Sequence, residues 1–185
     1  MSMSRELYIS VDVETSGPIP GEYSLLSIGA CVVGSKANPF YIELKPLNEN
    51  FTAEAMATCQ LVLADLEKKG IEPPRAMKRF ARWVKTVAGD ARPIFVGFNA
   101  PFDWSFINYY FIKFVGLGKN PFGYSALDIK SYYMGAYKTS WQATSMRQLP
   151  PAIHPRAQPL NHHALEDAMR QAEIFEKLLQ VTGSK

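Results

Sequence analysis

Cysteine is scarce in this sequence, and long apolar runs are missing from it. The two cysteines among 185 residues, Cys31 and Cys59, lie in apolar surroundings without the spacing of a zinc site or a disulfide framework. Their scarcity favours buried, reduced thiols, which are typical of cytosolic proteins. No apolar run approaches the ~20 residues of a membrane span, and residues 1–6 lack the basic-then-apolar layout of a signal peptide. We therefore expect a cytoplasmic protein without a membrane partner.

A strong net charge is also absent. The sequence holds 20 basic and 17 acidic residues, so its formal charge is +3. An excess this small neither requires nor excludes a nucleic-acid partner. An apolar fraction of 47% with 20% charged residues is typical of a globular chain and argues against disorder. Composition alone therefore leaves the function open.

The order of the apolar segments predicts an α/β protein. Three strands come first, over residues 7–14, 24–34 and 39–44, and their short connections favour an antiparallel meander. Helices and strands then alternate, with helices over 53–69, from 73, from 99, over 130–137 and over 164–181, and strands over 93–98 and 125–129. No linker or repeat interrupts the series. We expect one domain over residues 1–185, with a core of about 5–181 and a mixed sheet.

Two acids, Asp12 and Glu14, stand at the end of the first strand. Residues two apart in a strand point to the same face, so both carboxylates should point the same way. Like charges side by side repel unless a cation lies between them. Because the turn formers Thr15–Pro18 follow directly, an ordinary strand end explains the stretch equally well.

Two further polar clusters lie at predicted helix starts. Asp103 falls in the first turn of an aromatic-rich helix, within Asn99–Phe106. Asp167 follows His162 and His163 at the start of the closing helix. Acids at helix N-termini are a common response to the helix dipole, so each cluster alone has a structural explanation.

Together the three clusters resemble the motifs of the DEDD exonuclease superfamily, in its histidine branch. Asp12-Val13-Glu14 matches the first motif, Asn99-x-x-Phe102-Asp103 the second, and His162-x-x-x-x-Asp167 the third. The resemblance spans about residues 5–180. It implies a ribonuclease-H-like fold, in which an antiparallel three-strand meander and parallel strands form one mixed β-sheet flanked by α-helices. It also implies a 3′–5′ exonuclease that releases nucleoside monophosphates from single-stranded nucleic acid.

The resemblance assigns roles to these residues. It implies two divalent ions, Mg²⁺ or Mn²⁺, with Asp12 bridging both, Glu14 and Asp167 completing one site, and Asp103 supporting the second. Carboxylate oxygens suit such hard ions, and a metal pair can stabilise both the attacking and the leaving oxygen of a phosphodiester. His162 would be the general base. His163 is one residue out of the five-residue interval, so we expect it to have a packing role.

Substrate contacts follow from the same resemblance. The turn after the first motif, Thr15, Ser16 and Gly17, would approach the 3′-terminal nucleotide, and Asn99 and Phe102 of the second motif are further candidates. Phe102 is a candidate for stacking on a base, worth ~1–3 kcal/mol, whereas Phe106 is expected to pack in the core. Asp128 is expected to cap a helix rather than to bind metal.

The nature of the nucleic acid stays open at this stage. RNA or short oligonucleotides are slightly favoured, since the sequence offers no polymerase domain or polymerase-binding tail. The alternatives are a DNA proofreading or repair exonuclease, and an inactive nucleic-acid-binding module on the same fold. All five motif positions are filled, which disfavours the inactive module. The resemblance also implies that the chain can form a homodimer.

Overall fold

A computed structural model describes residues 5–154 and 162–183, and its centre is a five-stranded mixed sheet. The strands are β1 (Glu6–Thr15), β2 (Leu25–Val32), β3 (Phe40–Glu43), β4 (Arg92–Gly97) and β5 (Ala126–Asp128). Their order across the sheet is β3-β2-β1-β4-β5. The pairs β1–β2 and β2–β3 are antiparallel, whereas β1–β4 and β4–β5 are parallel. This arrangement confirms the predicted meander with parallel strands added.

Within residues 5–154 and 162–183, six α-helices flank the sheet. They are α1 (Ala53–Cys59), α2 (Leu63–Lys69), α3 (Pro73–Ala88), α4 (Ala100–Phe114), α5 (Ile129–Tyr137) and α6 (Ala164–Thr182). The predicted helical segment over 53–69 is divided because Gln60 adopts a left-handed conformation that ends α1. Among the described helices, none is long and apolar enough to cross a membrane.

Between α5 and α6 the sequence predicts a helical turn over 143–149 and a loop over 148–160, which holds four prolines. Two 3₁₀ turns, Trp141–Thr144 and Met146–Gln148, occupy the position of the predicted helical turn. Residues 155–161, which include the second half of the predicted loop, lie outside the described part of the chain.

Strand β1 is covered on both faces. Ile9, Val11 and Val13 pack into the core that contains residues of α3 and α4. The alternate residues face α6: the Tyr8 ring lies edge-on to Phe175, with 5.3 Å between ring centroids, and the Ser10 hydroxyl donates to the carbonyl of Ala168 over 2.7 Å. The C-terminal end of β1 is therefore held between α6 on one face and α4 on the other.

The buried face of α6 differs from the prediction. The 3.6-residue spacing of apolar residues predicts that the buried face consists of Leu165, Ala168, Met169, Ala172, Phe175 and Leu179. In the structure Met169 is 38% exposed, and the buried residues are Ala164, Ala168, Gln171, Ala172, Ile174, Phe175 and Leu178. The buried stripe is thus rotated about the helix axis, and it includes a glutamine that hydropathy alone would place at the surface.

The N-terminus of α4 is capped by a residue of β5. The sequence predicts Asn99 as the N-cap of α4, and Asn99 does occupy that position, with a left-handed φ of 69°, but its side chain makes no capping hydrogen bond. Asp128 provides the cap instead. Its Oδ2 accepts from the Ala100 amide over 2.9 Å, and its Oδ1 accepts from the Ser131 amide over 2.7 Å. The predicted capping role of Asp128 is confirmed, and it serves two helices, α4 and α5.

Candidate active site

The candidate site lies where β1 extends beyond β4. The parallel pairing of these strands ends at Ser10 opposite Val96. Beyond that point the edge of β1 is open to the first turn of α4. There Asp103, which is 5% exposed, accepts a hydrogen bond from the Val13 amide over 3.0 Å. The strand register therefore brings the second motif against the first, and Asp103 takes the place of a strand partner.

Three carboxylates converge at this point. Asp12, Glu14 and Asp167 each present an oxygen, and these three oxygens lie within 4.8 Å of one another. Asp12 and Glu14 share the α6 face of β1, as the alternation predicted, and Asp167 reaches them from the first turn of α6. Asp103 lies outside this trio but close enough for its charge to raise the pKa of Asp12. The four predicted acids therefore share one site.

A glycine permits the approach of α6. Gly29 on β2 lies directly opposite Asp12 on β1. A Cβ at this position would overlap the backbone of Ala164 and Leu165, the first two residues of α6. The close backbone approach that glycine allows within a strand is thus used here to bring Asp167 against the acids of β1.

The two histidines have different surroundings. His162 is half-buried just before α6 and has a left-handed φ of 46°. Burial raises the pKa of Asp167, and the charges of Arg170 and His162 partly offset that rise, so His162 lies near this carboxyl. His163 stacks on Tyr41 of β3, with ring centroids 4.4 Å apart. Its Nδ1 is buried and has no hydrogen-bond partner among the described residues. The stack gives His163 a packing role, as expected.

Gln171 belongs to the site, although no sequence motif predicts it. Gln171, one helical turn after Asp167, donates from Nε2 to Asp12 and accepts from the Phe98 amide at Oε1 over 2.7 Å. The only sequence signal is its position four residues after Asp167, which places both side chains on one face of α6.

The pKa values of all four acids are raised. Burial is the main cause for each. It raises the pKa of Glu14 to about 8, with help from the charges of Asp167 and Asp103, and that of Asp103 to about 7. The pKa of Asp12 is raised well above its usual range by burial and by the surrounding carboxylates. Without a cation the site therefore retains protons near neutral pH.

The donor set fits a hard divalent cation. Three converging carboxylates offer only oxygen ligands, which suit Mg²⁺ or Mn²⁺. The two cysteines are buried elsewhere, Cys31 on β2 and Cys59 at the end of α1. A bound cation would also relieve the repulsion among these carboxylates that contributes to their raised pKa values.

The turn after Glu14 is tied into the protein. The Thr15 hydroxyl donates to the carbonyl of Gly17 over 2.9 Å. Ser16 is 0% exposed, and its hydroxyl donates to the Asn50 carbonyl and accepts from the Ser24 amide. Gly17 is needed because a Cβ there would overlap the ring of Tyr23. These contacts give all three residues a structural role, and a substrate contact by them does not follow from the geometry.

The start of α4 offers exposed groups beside the acids. The Asn99 side chain is exposed, and Phe102 is 37% exposed at the surface next to Asp103. Phe106 is fully buried, 5.4 Å from Phe102 between ring centroids. The expected core packing of Phe106 is confirmed, whereas the contact of the exposed Phe102 ring with a base stays a prediction.

Comparison with known proteins decides the family. The model of the exonuclease family named for RNase T matches residues 9–175. The chain belongs to this exonuclease family. It is 47% identical over 186 residues to a protein of Escherichia coli named 3′-5′ DNA exonuclease Cap18, an alignment that covers 100% of this chain and 98% of the relative. The resemblance to the DEDD superfamily is thereby confirmed, and the protein is a 3′–5′ exonuclease.

Solved structures confirm the ribonuclease-H-like fold. The nuclease domain of 3′hExo, a DEDDh family member bound to rAMP, superposes with a TM-score of 0.76 and 15% identity, covering 97% of this chain and 94% of that domain. E. coli Exonuclease I in complex with a dA16 oligonucleotide superposes with a TM-score of 0.71 and 15% identity. That alignment covers 96% of the exonuclease described here but only 41% of the Exonuclease I chain.

Replacing Gly29 should damage the site more than the fold. In Gly29→Ala the new methyl group displaces the start of α6, and with it Asp167. Since a misplacement of about 1 Å can cost roughly 10²-fold in rate, we expect an activity loss of at least that order. Gly135→Ala on α5 is the matched control, because its Cβ would meet nothing within 4 Å. Nuclease rates and melting temperatures test both; a Gly29→Ala enzyme as active as the Gly135→Ala enzyme would contradict this account.

The metal-free protein should lose stability as the pH rises from about 4 to about 8. Over this range the unfolded chain releases protons that Glu14 and Asp103 retain in the folded state, up to about 8 and about 7. The folded state then binds more protons, so the free energy of unfolding falls with rising pH. Below the ordinary carboxyl pKa values both states are protonated and the effect levels off.

Thermal unfolding at several pH values, with and without Mn²⁺, measures this effect. The cation should raise the melting temperature more at high pH than at low pH. Asp12→Asn removes one of the repelling charges, so its metal-free stability should depend less steeply on pH. A steeper dependence in the variant would contradict the assigned cause.

Proposed function

We propose that this exonuclease hydrolyses single-stranded DNA from its 3′ end with two divalent metal ions, using His162 as general base. The observation that carries the proposal is the convergence of Asp12, Glu14 and Asp167 within 4.8 Å, next to Asp103 and His162. Such a cluster would be strongly self-repelling without cations, and its donor atoms are those that Mg²⁺ and Mn²⁺ prefer.

The position of each acid supports a distinct role. Asp12 is the central ligand, because its charge interacts with those of Asp103, Glu14 and Asp167. Glu14 and Asp167 complete one metal site with Asp12, and Asp103, anchored to the Val13 amide, supports the second. When bound, two cations would stabilise negative charge on both the attacking and the leaving oxygen of the phosphodiester.

His162 is the general base in this scheme. His162 is half-buried one residue before His163, whose ring is held by its stack on Tyr41. A neutral imidazole nitrogen takes the proton of the attacking water.

DNA is the proposed substrate because of the relative with 47% identity. That protein is named a DNA exonuclease, and the alignment covers the whole of this chain. The sequence by itself slightly favoured RNA, on the weaker ground that no polymerase-binding segment was recognised. Phe102 at the surface beside Asp103 is proposed to stack on a base near the 3′ end, a contact that tolerates any sequence.

Matched oligonucleotides test the substrate and the site together. Single-stranded DNA and RNA of one sequence, labelled at the 5′ end, are incubated with Mg²⁺ or Mn²⁺. We expect the DNA to shorten stepwise from its 3′ end, faster than the RNA, and to remain intact with a chelator. Asp12→Asn should abolish digestion, whereas Asp90→Asn, an exposed acid before β4, should not. Faster digestion of RNA would refute the substrate, and an active Asp12→Asn variant would refute the site.

The two histidines should differ sharply. We expect His162→Ala to lower the turnover rate by roughly 10²–10⁴-fold, the range typical of a lost general base, with Mn²⁺ binding retained. His163→Ala should retain most activity and lose about 1 kcal/mol of stability with its stack on Tyr41. Single-turnover rates and chemical denaturation measure the two effects. The opposite order of rates would identify His163 as the base.

A further inference from the structure

The buried amide of Gln171 on α6 links Asp12 of the first motif to the residue that precedes the second motif. Gln171 is 4% exposed on α6. Its Nε2 donates to Oδ1 of Asp12 on β1, and its Oε1 accepts from the Phe98 amide, which lies between β4 and α4. Gln171 and Asp167 are one helical turn apart and lie on the same face of α6. This face therefore places the Asp167 carboxylate in the acid cluster and the Gln171 amide against Asp12.

The orientation of this amide follows from its two partners. The Phe98 amide can only donate, so it requires the carbonyl oxygen of the glutamine. An ionised Asp12 carboxylate can only accept, so it requires the amide nitrogen. Both polar ends of Gln171 are therefore satisfied in one orientation, and the side chain cannot rotate without losing both contacts.

We propose that Gln171 is a positioning residue that holds the Asp12 carboxylate in its metal-binding orientation. The inference rests on the proposed metal-dependent function and deepens it. With Oδ1 held by the glutamine, Asp12 keeps one orientation although three neighbouring carboxylates repel it. A ligand fixed in this way does not have to be ordered when the metal binds, so Gln171 raises metal affinity without contacting the metal.

The chemistry of glutamine suits this position. A lysine or arginine would hold Asp12 with a positive charge, which would compete with the cation for the same carboxylate. An ionised glutamate would add another carboxylate to a cluster that already repels itself. An apolar side chain would leave the Phe98 amide and the Asp12 oxygen without their partners. Glutamine supplies a neutral donor and a neutral acceptor at the required separation.

Ser10→Ala is the matched control for a purely structural role of Gln171, because Ser10 also joins β1 to α6. Ser10 on β1 is fully buried, and its hydroxyl donates over 2.7 Å to the Ala168 carbonyl on α6, a backbone group rather than an acid of the site. Ser10→Ala therefore loosens the same helix from the same strand without freeing Asp12. If Gln171 only anchored α6, the two positions would affect metal binding alike.

The test is a titration of the metal-free protein with Mn²⁺ in the absence of substrate. Binding is measured by calorimetry or by the paramagnetic resonance signal of free Mn²⁺. We expect Gln171→Met to raise the Mn²⁺ dissociation constant by about 10–100-fold, the range found when partners of metal ligands are removed. Ser10→Ala should leave it within about twofold, even where its melting temperature falls. Gln171→Asn keeps an amide but is too short to reach both partners, so it should also weaken binding, and it serves if Gln171→Met does not fold.

Each outcome decides the question. Unchanged Mn²⁺ affinity in the Gln171 variants would overturn the positioning role, and so would equal weakening in Ser10→Ala. Activity provides a second readout: the Gln171 variants should regain turnover at high Mn²⁺ with the KM for DNA unchanged. If the unaltered protein binds no Mn²⁺, the proposed metal-dependent function fails, and this inference fails with it.

Discussion

Mutual repulsion among buried carboxylates is the constraint on which the rest of this structure depends. Oxygens of Asp12, Glu14 and Asp167 lie within 4.8 Å of one another, and burial together with neighbouring charge raises their pKa values. Such a cluster is unfavourable by itself and persists only where the surrounding fold holds it together. A divalent cation bound between the carboxylates would attract all of them, so the repulsion that destabilises the metal-free protein favours metal binding.

The fold meets this constraint with contacts that lie outside the motifs. Gly29 lets the backbone of α6 lie against β2, and Ser10 ties α6 to β1. Asp128 fixes the start of α4 from β5, so Asp103 is held in place by a residue 25 positions further along the chain. Each of these residues restricts an element that carries an acid. The site is therefore held by hydrogen bonds and close backbone contacts rather than by attraction among its own members.

Much of the architecture could be predicted because it depends on patterns within short segments of the sequence. Apolar runs and turn residues marked all five strands, and the alternation along β1 placed Asp12 and Glu14 on one face. The errors have a common origin in contacts between distant segments. Asn99 seemed a good cap, but Asp128 reaches the Ala100 amide from β5. Met169 seemed a core residue by spacing, but the sheet covers the face of α6 that carries Gln171.

Short segments of the sequence predict the family, the order of the elements and the four candidate acids, because motif residues and hydrophobic periodicity are local patterns. How the acids meet depends instead on contacts between distant segments. The pairing of β1 with β4 stops at Ser10, which admits α4, and the missing side chain at Gly29 admits α6. The bond from Gln171 to Asp12 joins residues 159 positions apart, and no local pattern records a contact of that kind.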